Sequence, residues 1–149
     1  MTPDNETRHK GELGKSEQLI PVSTASAVAP HGHYSQGMRC GDLVFISGIL
    51  GNNQHWPPGT EPAVEQQALS CLLQIEAIAQ AAGSARSLIV RVGIFVTDVA
   101  SWPQVNEVYA DFFGDHRPAR IVVPCGSMRF NSLIEMEAVA YLDRAEEQR

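Results

Sequence analysis

The stretch Leu133-Ile134-Glu135-Met136-Glu137-Ala138-Val139-Ala140-Tyr141-Leu142 decides the fold. Residues of a strand alternate between two faces, so Ile134, Met136, Ala138 and Ala140 share one, and it is wholly apolar. The other face carries Leu133, Glu135, Glu137, Val139 and Tyr141, too apolar for bulk water and too polar for an ordinary core. A strand predicted over 88–96 repeats the division, with Val90, Val92, Ile94 and Val96 on one side and Arg91 and Phe95 on the other. Two such strands need an apolar layer over one side only.

Two helices supply that layer. Ala68, Leu72, Ile75 and Ala79 recur at helical spacing in a helix predicted over 63–82, and Gly83 stands where a C-terminal cap belongs. Ser101 is placed to cap a second helix, with Pro103 tolerated in its first turn. Val105, Val108, Tyr109 and Phe112 line its apolar side, and Gly114 ends it. Upstream, His33-Tyr34-Ser35-Gln36 leads through Gly37 to Arg39, turns at Cys40-Gly41-Asp42 and returns as Leu43-Val44-Phe45-Ile46-Ser47, ending at Gly48. This reads as a hairpin. Residues 51–61 form a loop and 120–123 a short strand, giving the order β-β-α-β-α-β-β. No helix is left for the second sheet face, so another subunit is expected to cover it.

The 149 residues suit one domain, taken as 19–149, and the polar, aperiodic residues 1–18 read as a flexible tail. A net charge of −6, from 11 Lys and Arg against 17 Asp and Glu, disfavours a nucleic-acid surface, because the basic residues form no cluster. No apolar run reaches the roughly 18–20 residues of a membrane span, and the acidic N-terminal stretch resembles no targeting peptide. Cys40, Cys71 and Cys125 follow no metal or redox spacing, and Cys71 sits in an apolar helical stretch. A reducing, cytoplasmic setting is expected.

Metal and nucleophile templates are not met. His31-Gly32-His33 pairs two imidazoles without a third ligand, and Ser47 has no general base in the G-x-S-x-G manner. Arg120 is different. It follows Pro118-Ala119 and opens an apolar run, Ile121-Val122-Val123, so its planar fork needs a partner. That partner is either a bound carboxylate or an internal one, Glu135 or Glu137. Two carboxylates on an otherwise apolar strand face must themselves be paired, hydrogen-bonded or shifted in pKa, and Arg91 is a second candidate partner.

Several segments, in this order, resemble the Rid (YjgF/YER057c/UK114) family. They are His33-Tyr34-Ser35-Gln36, Leu43-Val44-Phe45-Ile46-Ser47-Gly48, Asn106-Glu107-Val108-Tyr109-Ala110-Asp111-Phe112-Phe113-Gly114-Asp115-His116, Arg117-Pro118-Ala119-Arg120 and Ile134-Glu135-Met136-Glu137-Ala138-Val139-Ala140. The resemblance implies a chorismate-mutase-like α+β fold, one mixed sheet with two helices on one face, and a homotrimer with clefts between subunits. It also implies cofactor-free deamination of small reactive enamine or imine acids, of the 2-aminoacrylate and 2-iminopropanoate type, to a 2-keto acid and ammonia. Carried over, Arg120 grips the substrate carboxylate and Glu135 positions or activates the attacking water. Tyr34, Ser47, Gly48, Asn106 and Val122 line or brace the pocket.

Departures bear on the substrate. His33 stands where the family usually has proline, Ile49 where it has glutamine, and Val122 where many members carry cysteine. Pro124-Cys125-Gly126-Ser127-Met128-Arg129-Phe130 replaces the commoner Val-Ala-x-Leu-Pro type of segment, and Arg129 adds charge near the mouth. A different or larger imino acid, such as an intermediate of aromatic or nitrogen-compound catabolism, is expected to fit. Two other readings use the same features: a non-catalytic sensor of small carboxylates in the same intersubunit cleft, and an RNA-cleaving or translation-inhibiting protein. Sedimentation at low micromolar concentration is expected to give an oligomeric mass; a monomer would remove the cover proposed for the second sheet face.

Overall fold

The computed structural model describes residues 18–53 and 56–143, so the tail expected at the N-terminus lies, up to residue 17, outside the described residues. Six strands and two helices alternate as β1 (Leu19–Val22), β2 (Gly37–Cys40), β3 (Leu43–Leu50), α1 (Val64–Ala81), β4 (Ile89–Val96), α2 (Trp102–Phe113), β5 (Ala119–Pro124) and β6 (Ile134–Tyr141). They form one sheet in the order β1-β2-β3-β6-β4-β5. All neighbours are antiparallel except β4 and β5, so the sheet is mixed. The strand that decided the fold is thus β6, held between β3 and β4.

The apolar face of β6 is sealed as its alternation requires: Ile134, Met136 and Ala140 have no exposed surface. Ala68, Leu72, Ile75 and Ala79 of α1 are equally buried against it, joined by Val105, Tyr109 and Phe112 of α2 in one core. Each core aliphatic is worth about 1.5–3 kcal/mol relative to exposure. Helix α1 ends through Gly83 at φ +90, with the Ser84 amide donating back to the Ala79 carbonyl at 2.9 Å. Among the described residues no helix is long and apolar enough to cross a membrane.

Three local expectations change. An additional strand, β1, precedes the hairpin and pairs with β2 from Leu19↔Cys40 to Val22↔Gly37. Only Val22 of β1 is buried, so it has no alternating pattern to read, and Pro21 is tolerated because β1 is an edge. Val90 does not join the apolar face of β4 but stands 43% exposed. The pairing shifts between Ile89↔Ala140 and Arg91↔Val139, so Val90 is the extra residue of a β-bulge and Ile89 takes the inward place. Ser101 makes no capping bond; Asp98 accepts from the Ala100 amide at 2.9 Å and starts a 3-10 turn that runs into α2.

The face away from the helices keeps its mixed character. Phe45, Leu133 and Tyr141 on it are 49%, 40% and 44% exposed. Loops are tied to the core by buried glutamines. Gln36 accepts from the Thr24 amide at 2.7 Å and donates to the carbonyls of Thr24, Ala27 and Val28 at 3.1, 3.3 and 2.9 Å. Gln74 accepts from the Val28 amide at 2.9 Å, and Gln67 from that of Leu133 at 2.9 Å. Removing Gln36 orphans several backbone groups at once, so Gln36→Ala is expected to lose about 2–4 kcal/mol in urea denaturation. A loss within error would show that water replaces it.

Candidate functional site

Pairing between β2 and β3 ends at Gly37↔Ile46, which leaves the second half of β3 without a neighbour on that side. There β3 bulges. Its register against β6 passes from Ile46↔Ala138 to Ile49↔Met136, so Ser47 and Gly48 together face one residue of β6. The extra residue lets Val44, Ile46 and Ile49 all reach the core although their spacing breaks alternation. A cavity of about 560 Å³ fills the gap, walled by the 27–36 loop, the bulge, α1 and residues 127–130. Tyr34, Ser47, Gly48 and Glu135 all line it.

Ser47 is a brace. Its hydroxyl donates to the Ser35 carbonyl at 2.7 Å and its amide to that of Gln36 at 3.0 Å, pinning the loop that carries Tyr34. Gly48 is where a side chain is excluded, because a Cβ there would collide with Oε1 of Glu135. Glu135 is half-buried, and its carboxyl is held above the ordinary glutamate value, first by burial and then by the charge of Glu137. Glu137 has a different fate. It pairs with Arg91 at 3.4 Å and packs over Gly93, where a Cβ would lie 2.9 Å from its Oε1. The two carboxylates that periodicity could not separate are separated by their neighbours. Behind the bulge, the Cys71 thiol donates to the Ile49 carbonyl at 3.2 Å, and burial raises its pKa, so it stays neutral.

Arg120 lies elsewhere. It pairs with Val92 at the sheet edge, and its guanidinium donates to Oδ1 of Asn106 at 3.1 Å. The guanidinium carbon lies 4.4 Å from the Trp102 ring centre and 4.8 Å from that of Tyr109, both on α2. No carboxylate of the described residues pairs with it, so the internal ion pair with Glu135 or Glu137 is absent. Phe95 is paired with Glu135 on one side and Val123 on the other, which sets Arg120 two strands and three residues from Glu135. At ordinary strand spacing and rise their backbones are roughly 14 Å apart. Val122 packs against the core on the same side as Arg120, away from the cavity. Arg120, Asn106 and Val122 thus form one group, and Tyr34, Ser47, Gly48 and Glu135 another.

Two features of these groups escaped the sequence. Tyr109 is only 6% exposed, its hydroxyl has no hydrogen-bond partner among the described residues, and burial pushes its phenol up to about 12. Phe130, which lines the cavity, and Asn131 after it both have positive φ, 57° and 52°. Left-handed backbone costs a non-glycine residue about 1–2 kcal/mol, and no periodicity reveals it. His31 and His33 are not part of any metal cluster among the described residues.

A mixed sheet backed by two helices, with a shielded carboxylate in a cavity and an arginine displayed at the far edge, is an α+β protein of the chorismate-mutase-like class. The family described as Endoribonuclease L-PSP matches residues 24–142, and the chain belongs to this family, also called YjgF or Rid. The chain is 36% identical over 121 residues to "Reactive Intermediate Deaminase A, chloroplastic" of Arabidopsis thaliana, covering 81% of this chain and 65% of that protein. It is 29% identical over 122 residues to "2-iminobutanoate/2-iminopropanoate deaminase" of Dermatophagoides farinae, covering 82% and 95%. The crystal structure of the YjgF gene product from E. coli superposes with a TM-score of 0.74 at 34% identity, covering 82% of this chain and 98% of that one.

The raised pKa of Glu135 has a consequence for stability. The folded state holds the proton more tightly than the unfolded chain, so stability falls as pH rises from the ordinary glutamate value through the folded one. Glu135→Gln removes this dependence. It is expected to be more stable than the wild type at neutral pH, with the difference closing in acid below the ordinary carboxylate range. Parallel denaturation curves at both pH values would contradict it.

Proposed function

We propose that the chain is a cofactor-free deaminase that hydrolyses small reactive enamine or imine acids to a 2-keto acid and ammonia. In this reading the two groups complete each other between copies of the chain. Arg120, Asn106 and Val122 of one copy close over Tyr34, Ser47, Gly48 and Glu135 of the next, in the trimer that the resemblance implies. One observation carries it: Glu135 lies half-buried in the cavity with no arginine paired to it among the described residues, Arg129 of the cavity wall included, while Arg120 stands exposed with no carboxylate paired to it. Each half offers what the other lacks. The names of relatives at 36% and 29% identity support the reaction class.

The chemistry needs little more. The Arg120 fork holds the substrate carboxylate bidentately, with Asn106 and the two rings fixing its plane. Glu135 accepts a proton from a water as that water adds to the C=N carbon, and the substrate nitrogen gains a proton. The resulting carbinolamine expels ammonia and leaves the keto acid. A carboxyl held above its ordinary value is better matched to this exchange than a freely solvated one. The three free cysteines suit a reducing compartment, and the cytoplasm is the setting this reading takes. RNA cleavage, the activity in the family's description, is disfavoured by a net charge of −6 and a sequence without a run of basic residues.

Ammonia release from 2-aminoacrylate generated in situ tests this. Arg120→Ala is expected to lose about 10²–10³-fold in kcat/KM, and Arg120→Lys at least about tenfold, since an ammonium cannot reproduce the fork. Arg120→Ala mixed with Glu135→Gln during refolding should regain activity, because some clefts then carry both residues. Undiminished Arg120→Ala activity would defeat the reading. Carboxylate binding without turnover would favour the sensor instead.

A further inference from the structure

The cavity is far larger than the substrate named above. At about 560 Å³ it falls within the roughly 300–1,000 Å³ of pockets that enclose drug-sized ligands, whereas 2-iminopropanoate carries a single methyl as its side chain. The additional wall is apolar: Val28, Ile49, Ile78, Met128 and Phe130 line it. Only Glu135 among the lining residues is acidic, and it lies by the bulge.

Phe130 shows what the space is for. It is 43% exposed where it lines the cavity, in left-handed backbone that a phenylalanine rarely adopts. The corner is held in that conformation by named bonds. The Asn52 side-chain amide donates to the Phe130 carbonyl at 2.7 Å, the Asn52 backbone amide to the Ser132 hydroxyl at 3.0 Å, and that hydroxyl to the Ile134 carbonyl at 2.8 Å. Strained backbone that its surroundings over-determine is concentrated at ligand clamps. Two other cavity-lining side chains brace the ring: His31 lies tilted at 5.6 Å between centres, and the Arg129 guanidinium carbon lies 5.1 Å from its centre. An exposed aromatic ring, held on a fixed backbone corner and braced by two neighbours, offers its free surface to another flat apolar group.

We infer that Phe130, with Met128 and His31, forms a side-chain subsite that makes this protein prefer imino acids bearing an aromatic side chain. The inference rests on the imine-hydrolysis reading for the position of the reacting end, at Glu135. Phe130 is a specificity residue and takes no part in bond making.

Binding of the product keto acids tests the subsite without requiring turnover. In calorimetry on the full chain, phenylpyruvate is expected to bind at least about tenfold more tightly than pyruvate. Phe130→Gly should bring the ratio close to one while leaving pyruvate affinity within about twofold. That variant also relieves the left-handed strain, and its retained pyruvate affinity shows that it is folded. Phe130→Leu, which restores apolar bulk without a ring, should recover only part of it. Equal affinities in the wild type, no binding of either acid, or a preference that survives Phe130→Gly would overturn the inference. Ammonia release from phenylalanine- and alanine-derived imines is read separately. Discrimination between keto acids without ammonia release would leave the subsite standing and sink the deaminase reading; release with equal keto-acid affinities would do the reverse.

Discussion

The pairing of β3 with β6 through the bulge at Ser47 and Gly48 is the constraint on which the rest of this structure depends. Strand alternation would send Ile49 to the wrong face if β3 ran regularly from Ile46. The inserted residue corrects the parity, so β3 delivers Val44, Ile46 and Ile49 to the core and still ends against β6. The same insertion sets a residue without a Cβ beside Glu135, and the carboxylate occupies the room so made. Core packing and the placement of the acidic group are therefore one event.

From that point the electrostatics follow. Glu135 and Glu137 leave β6 on the same face, and neither could remain there charged and unaided at no cost. Arg91, set opposite Val139 and diagonal to Glu137 by the antiparallel register of β4, pairs with Glu137. Glu135 has the cavity instead, and its raised pKa records both its burial and the proximity of Glu137. Arg120 is kept out of this arrangement by the parallel pairing of β5, which carries it to the sheet edge over α2. An arginine held over two rings and by Asn106 has lost much of the freedom that would oppose binding, yet it remains exposed.

Much of the site was legible because its residue types are unusual for their places. A guanidinium at the head of an apolar strand, and paired acids on a half-apolar face, announce themselves by the cost of leaving them unpartnered. Which acid goes with which base was not legible. Arg91 and Arg120 are chemically equivalent, and only strand order decides that the first meets Glu137 and the second meets Asn106. The strained corner at Phe130 was equally hidden. The sequence marks an exchanged segment there, but a positive φ in a phenylalanine has no compositional signature.

By itself the sequence determined the two helices, the alternation of β6, the uncovered second face and the residues worth weighing, because burial periodicity and unpaired charge are local properties of the chain. The tertiary structure alone decided the edge strand β1, the outward turn of Val90 and the separation of Arg120 from Glu135. Each of these rests on register, a relation between segments distant in sequence. A one-residue slip in pairing changes which side chain faces the core, and nothing in the local pattern of Val90 or of Leu19–Val22 records where the slip falls.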